Sequence, residues 1–491
     1  MSSYDVKIHD MGKRDDRGKG KSHRVRWVVA GKRFERSFTT KALADRFRSD
    51  LVKAAAAGEP FDEITGLPES RLREQDRTTW YDHARAYIEM KWPHAAAKSR
   101  KSMVDALLTV TPVLIVADRG APDAETLRLA LYRWAFNPNT RSESVPAAEE
   151  AALAWLTRQS LPVSRLRDTD HIRTALNACS RRLDGKPAAA TTVQRKRAVF
   201  YNALGYAVER NLLDFNPIDR TQWKAPAVAE AVDRRVVANT AQVESLLDAV
   251  PAVHPQGAHL VAFFACLYFA GFRPSEAASL RRADCHLPES GWGRIDLAET
   301  APPTGADWTD DGEVRQVRGL KHRAETEMRS VPIPPDLVRI LRAHLAKFGT
   351  ADDGRLFRAA RGGYLVESTY GEIWRDARKA ALTPEQAVSP LAGRPYDLRH
   401  AAVTLWLNGG VPATEVASRA GHGVAVLLKV YAGCIDGDEE HINQQIERAI
   451  KASRGRGRIR GNRTQNSARS TLKQQVKAGR GSPKRSSLEN H

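Results

Sequence analysis

The sequence predicts a multidomain, mainly α protein: a small N-terminal sheet-plus-helix domain, a helical domain, and a mostly α C-terminal domain with a small antiparallel sheet. Three observations carry this. At 491 residues the chain exceeds what one hydrophobic core serves, and its length corresponds to about three domains. Hydrophobic content of 42% and charged content of 27% are those of folded globular chains. Helical periodicity recurs over long stretches, while period-two alternation is confined to short pieces.

The first element runs Val25-Arg26-Trp27-Val28-Val29, then Gly31-Lys32, then Arg33-Phe34-Glu35-Arg36-Ser37-Phe38. Apolar and basic residues alternate on both sides of Gly31-Lys32, which reads as a hairpin with one apolar and one basic face. Thr39 or Thr40 caps a helix from Ala42 to Ala57, and Gly58 ends it. A polar linker, Leu67 to Asp76, leads into the helical domain, where Trp80, Ala84, Tyr87 and Ile88 form one amphipathic face. A second long helix runs from Thr191 to Arg210 and closes at Asn216-Pro217. Between them, 118–162 holds several prolines and mixed charge and reads as an insertion. After a linker at Thr221 to Arg235 come helices at Ala241 to Val250 and Gly257 to Ala270, and another opening at Pro274. Strand-like pieces follow at Gly293 to Leu297, Val314 to Lys321 and Arg329 to Ile333. Helices resume from Pro335 and include Asp397 to Asn408, Ala413 to Ala420, Val424 to Tyr431 and Glu440 to Ile450. The expected domains are therefore 1–62, 76–222 and 236–452, with a basic disordered tail at 453–491.

Charge points to a polyanionic partner. The net charge is +19, and it is concentrated at the ends. Residues 1–60 hold 15 Lys/Arg against 8 Asp/Glu, and residues 453–491 hold 11 against 1. Basic extremities around a near-neutral body suit nucleic acid, with Arg26, Lys32, Arg33 and Arg36 of the hairpin as candidate DNA contacts. Cys179, Cys266, Cys285 and Cys434 lie far apart without a Cys-x-x-Cys pair, as in a cytosolic protein with reduced thiols. Met1 to Asp16 is polar, and Leu260 to Phe269, the most apolar stretch, is about half the roughly twenty residues a membrane span needs, so neither a signal peptide nor a membrane segment is expected.

Candidate chemistry lies in the C-terminal half. In Gly271-Phe272-Arg273-Pro274-Ser275-Glu276 the proline and the early Glu open a helix, placing Arg273 where amide donors also favour anions. Arg399 has a similar place in a helix whose expected cap is Asp397; two Arg forks could hold two oxygens of one phosphodiester. Lys321, at the tip of the expected strand pair, could protonate a leaving oxygen. Gly421 ends a helix and puts His422 in the turn beyond it. Tyr431 follows on the next amphipathic segment. Its hydroxyl, with an ordinary pKa near 10, needs cationic neighbours to become a nucleophile.

These motifs, in order and at these intervals over roughly 240–450, resemble the tyrosine recombinases, the phage-type site-specific integrases (actinobacterial-like). The resemblance implies that Arg273 and Arg399 bind the scissile phosphate, His422 hydrogen-bonds it, and Lys321 is the general acid. Tyr431 then attacks to form a 3′-phosphotyrosyl link, without ATP or metal, and Glu276 orients the active-site arginine. The family usually carries His or Lys three residues before the second arginine; here that position is Tyr396. A phenol can hydrogen-bond phosphate but accepts a proton poorly near neutral pH, and His400, on the other side of Arg399, is the alternative acceptor. The resemblance further implies an arm-site-binding N-terminal domain, a core-binding helical domain, double-stranded attachment-site DNA as partner, and a homotetramer on DNA. The last helix, Glu440 to Ile450, would dock on a neighbouring subunit. A host DNA-bending protein and an excision factor are further candidate partners, no cofactor is expected, and the location is cytoplasmic and nucleoid-associated. Two other readings compete: a DNA-relaxing topoisomerase of the same chemistry, and a non-catalytic DNA-binding regulator suggested by the helix-turn-helix pattern at 397–420.

Overall fold

The computed structural model describes residues 2–451 apart from 11, 17–19, 39, 72–76, 229, 320–327, 435–442, 445 and 448–449. Lys321, most of the expected terminal helix and the basic tail lie outside the described residues. The chain forms two compact units, Met1–Ala229 with Glu299–Glu327, and Glu230–Ala298 with Met328–His491.

In the first unit the strand Gly20–Val29 pairs with Lys32–Phe38, Trp27 opposite Phe34. Ala30 and Gly31 both take positive φ, the geometry that lets a two-residue turn follow the strand twist. The other edge of Gly20–Val29 carries Val6–Ile8 and Gly12–Asp16, two strands that the polar N-terminus did not announce. Val25, Trp27 and Val29 face the helix Lys41–Ala56 and are buried with its Ala44, Phe47 and Leu51. Thr40 caps that helix, accepting from the Leu43 amide at 3.3 Å.

One core holds the helices Trp80–Lys91, Ala97–Val110, Ala124–Ala130, Ala147–Gln159, Thr169–Cys179 and Ala190–Glu209. The 118–162 stretch is therefore no appendage: Leu127, Ala130, Trp155 and Leu156 are buried in that core, and Ile115 bridges Ser160. A π-helical turn at Leu131–Ala135 shifts the 3.6-residue period immediately after Ala130, which is why the pattern was hard to read.

Residues of 299–319 also belong to this unit. Trp308 is buried, its ring 6.0 Å from Trp92 and 5.1 Å from Tyr132. Arg100 donates to the Trp308 carbonyl at 3.0 Å and to both Asp310 oxygens at 2.7 and 2.9 Å. Of the expected strand Val314 to Lys321, Arg318–Gly319 is the described strand, and it pairs with Glu299–Thr300. Arg329–Ile333 pairs instead with Gly293–Leu297, whose other edge carries Cys285–His286. Among the described residues, the two expected strands therefore pair with different partners, while the tip at Lys321 lies outside them.

The second unit is built on Gly257–Phe269, a helix apolar nearly all round and buried on most of its surface. Thr240–Val253, Pro335–Phe348 and Asp397–Asn408 pack against it. Among the described residues no helix is long and apolar enough to cross a membrane.

Candidate active site

The site forms where the Gly271–Glu276 turn, the strand start at Arg329 and the helix Asp397–Asn408 meet the turn at Gly421. Gly271 takes φ +60, and a Cβ there would stand 2.7 Å from the Trp406 ring, so this tight turn excludes other residues. It delivers Arg273 to the start of Pro274–Ser279. Glu276, 3% exposed, accepts from the Arg273 amide at 2.8 Å and from its guanidinium at 2.7 Å. Arg329 binds the same carboxylate through two bonds of 3.0 and 2.7 Å. Arg399 stands 4.0 Å away. Burial alone would raise the Glu276 pKa; the charge and hydrogen bonds of Arg329, then Arg399 and Arg273, overcome it and hold it at about 2. One buried carboxylate thus aligns three cations, and these four groups together carry net positive charge.

Arg399 is the third residue of its helix and fully buried. Its terminal nitrogens donate to the Gly271 and Ala420 carbonyls and to His422 Nε2, the last at 2.9 Å. The expected pair of arginine forks on one phosphate is therefore unequal. Arg273 reaches solvent with 24% of its side chain, whereas Arg399 stands behind it as a buried support. Asp397 does not cap this helix. It is the first helical residue, and its carboxylate accepts from the Arg394 amide at 2.8 Å and guanidinium at 3.0 Å.

Gly421 ends Ala413–Ala420 in the left-handed conformation, and a Cβ there would run into the Arg329 guanidinium. His422 follows. Burial first, then Arg399 and Arg273, lower its pKa to about 3, so the ring is neutral. Because Nε2 accepts from Arg399, the ring proton belongs on Nδ1, which is buried without a partner among the described residues. That leaves one oriented donor free for an anion.

Tyr431 closes the helix Val424–Tyr431 and is 1% exposed. Its Oη lies 2.9 Å from His400 Nδ1, and its ring is 6.3 Å from the His422 ring. The expectation that cations would activate this hydroxyl needs correcting for the DNA-free chain. Burial drives its pKa upward, and the opposing fields of Arg399 and Arg273 are outweighed. Tyr396 lies edge-on to His400 at 5.2 Å and hydrogen-bonds Arg273. The structure thus gathers Arg273, Glu276, Tyr396, Asp397, Arg399, His400, His422 and Tyr431 in one place.

Sequence reasoning missed Arg329. The signal was present: Val331 and Ile333 share its strand face and are buried, so period two put an arginine in the core, where it must find a carboxylate.

The N-terminal candidates divide. Arg26, Lys32 and Arg33 are exposed. Arg36 points inward with Phe34 and Phe38, its guanidinium 4.9 Å from the Phe47 ring centroid. It pairs with Asp214 at 3.0 Å and donates to the Leu213 carbonyl at 2.8 Å. Burial lowers its pKa to about 10 despite Asp214. Arg36 is an internal tie, contrary to the expected DNA contact.

An α-rich unit that sets a tyrosine hydroxyl against one imidazole, beside paired arginines and a second imidazole, is the arrangement that the resemblance to tyrosine recombinases implies. Residues 237–433 match the phage integrase family. An integrase of Streptomyces ambofaciens is 26% identical over 234 residues, covering 46% of this chain and 54% of that protein. Tyrosine recombinase XerC of Nitrobacter winogradskyi is 26% identical over 174 residues, covering 35% and 44%. The chain spans about half the length of the curated relatives it matches. Among solved structures, the Tn1549 transposon integrase in complex with a circular intermediate DNA aligns with 69% of this chain and 99% of its own, at TM-score 0.45 and 15% identity. A lambda integrase dimer bound to a COC′ core site aligns with 84% of this chain and 91% of its own, at TM-score 0.42 and 13% identity.

Proposed function

We propose that this chain is a site-specific DNA recombinase, an integrase that cuts and rejoins double-stranded attachment sites through a 3′-phosphotyrosyl intermediate. The observation that carries the reading is Tyr431, a buried hydroxyl beside Arg273, Arg399 and a neutral His422 whose Nδ1 has no partner among the described residues. A phosphodiester entering here meets the partly exposed Arg273 fork and the His422 donor, which favour the added negative charge of the transition state. The Tyr431 oxygen attacks phosphorus and the 5′-oxygen leaves, taking a proton from Lys321 in the assignment that sequence alone supports. A 5′-hydroxyl of a partner strand then attacks the tyrosyl ester. The ester conserves the energy of the broken bond, so the cycle calls for neither ATP nor metal.

In this reading residues 1–62 hold arm-type DNA sites, 76–222 the core site and 236–452 the chemistry. The chain works as a homotetramer at the nucleoid, with a host DNA-bending protein and an excision factor as partners.

The test uses a pool of nicked duplexes of randomised sequence, from which the chain captures its own site. A covalent protein–DNA adduct on a denaturing gel is expected, and Tyr431→Phe abolishes it. An adduct that survives Tyr431→Phe refutes the nucleophile assignment.

A further inference from the structure

The position that usually supplies a proton acceptor in this family is the phenol Tyr396, so the nucleophile's proton needs another destination. The helix Asp397–Asn408 offers one. His400 follows the buried Arg399, and its Nδ1 is the hydrogen-bond partner of Tyr431 Oη at 2.9 Å, with ring centroids 5.6 Å apart. We propose that His400 is the general base of strand cleavage: Nδ1 takes the Tyr431 proton as Oη attacks phosphorus, and returns it when the tyrosyl ester is resolved.

This rests on the strand-transfer reading above. In the forward step the O–H bond of Tyr431 breaks and an N–H bond forms on His400, giving an imidazolium. The phenolate electron pair makes the O–P bond, and the P–O5′ pair departs with the 5′-oxygen, which takes its proton from Lys321 in the proposed function above and returns it when the 5′-hydroxyl attacks. In the reverse step the imidazolium gives its proton back to the departing Tyr431 oxygen, so no proton is consumed over the cycle.

The surroundings suit this role. Tyr396, Asp397 and Arg399 face His400 from its own helix, Arg394 from the preceding turn, and Tyr431 from the last helix, with His422 beyond it. Burial first, with Arg394 and Arg399 acting in the same sense against Asp397, lowers the His400 pKa to about 4. The ring is then neutral at neutral pH and able to accept. An arriving phosphodiester brings negative charge, which favours the imidazolium and raises its basicity when it is needed. Tyr396 is left free for its bond to Arg273.

The experiment measures single-turnover adduct formation by the full chain on captured duplexes, from acid to alkaline pH. At pH 7, His400→Phe and His400→Asn are each expected to slow cleavage by about 100-fold. The deficit shrinks as pH rises and hydroxide substitutes for the base, and DNA affinity is unchanged. Asn can accept a hydrogen bond without taking a proton, so recovery in His400→Asn would make the residue a positioning group and overturn the proposal. A pH-independent loss, or full activity in His400→Phe, overturns it as well. Histidine ¹⁵N NMR reads the tautomer independently: an unprotonated Nδ1 whose shift moves in Tyr431→Phe is expected, and a protonated Nδ1 refutes the assignment. Failure of the unaltered chain to form any Tyr431-linked adduct overturns the strand-transfer reading itself, with this proposal.

Discussion

Two carboxylates gather arginines in this chain, and they do so under opposite conditions. Glu276 is 3% exposed and meets Arg273, Arg329 and Arg399; Asp214 is 39% exposed and meets Arg36 and Arg167 at 3.0 and 3.2 Å. The bond lengths are alike. What differs is water. Around Asp214 solvent reaches the carboxylate and Arg167 though not Arg36, and a pair with so exposed a carboxylate adds about 1 kcal/mol. Around Glu276 little solvent replaces a lost partner, so removing the carboxylate strands Arg329 and Arg399 in the interior. The first cluster ties a sheet to a helical layer. The second holds the candidate site in shape.

The largest break in this comparison is Glu276→Gln, expected to destabilise the second unit by about 3–5 kcal/mol, because buried cations lose their counter-charge. Denaturant unfolding followed by tryptophan fluorescence measures it, and a loss below 1 kcal/mol would remove the distinction between the clusters. Acid should reproduce the effect. The folded Glu276 pKa of about 2 lies below its ordinary 4.5. Its contribution, about 3 kcal/mol by linkage, is therefore complete above pH 4.5 and lost as pH falls toward 2. Buried His83 and His259, lowered to about 4 chiefly by desolvation, act earlier: the unfolded chain binds their protons below pH 6.5, so stability already declines from there. A melting temperature flat from pH 7 to 4 would contradict this. Arg329→Met removes two charged hydrogen bonds but leaves Glu276 two cations, and should cost about 2–3 kcal/mol with slower adduct formation. Asp214→Asn is the small member of the series, within about 1 kcal/mol. Arg33 and Arg36 sharpen the contrast at the N-terminus. Arg33→Ala should lower the salt dependence of DNA binding by about one unit of slope, while Arg36→Ala leaves the slope and loosens the packing on Phe47.

Much of this was legible in the residues. Gly421 after an amphipathic run fixed a left-handed helix end and so placed His422. Thr40 capped its helix, and Trp80, Ala84, Tyr87 and Ile88 lined the core as their spacing requires. Arg36 was misread although its parity matched Phe34 and Phe38, because its charge was weighed above its register. The His400–Tyr431 bond was not legible, since it joins residues 31 apart through the packing of separate helices. The docking of Trp308 was hidden for the same reason: one aromatic residue in an irregular stretch has no period.

That excursion has a consequence for how the gene could be cut and exchanged. A boundary drawn at residue 230 looks like a clean seam, yet a fragment beginning there carries Trp308 and Asp310 away from Trp92 and Arg100. Such a fragment would display an orphaned indole and tend to self-associate. The amino-terminal fragment would hold an empty aromatic slot beside an unpaired Arg100. The halves of this protein are woven rather than strung, and they can be traded only as a set.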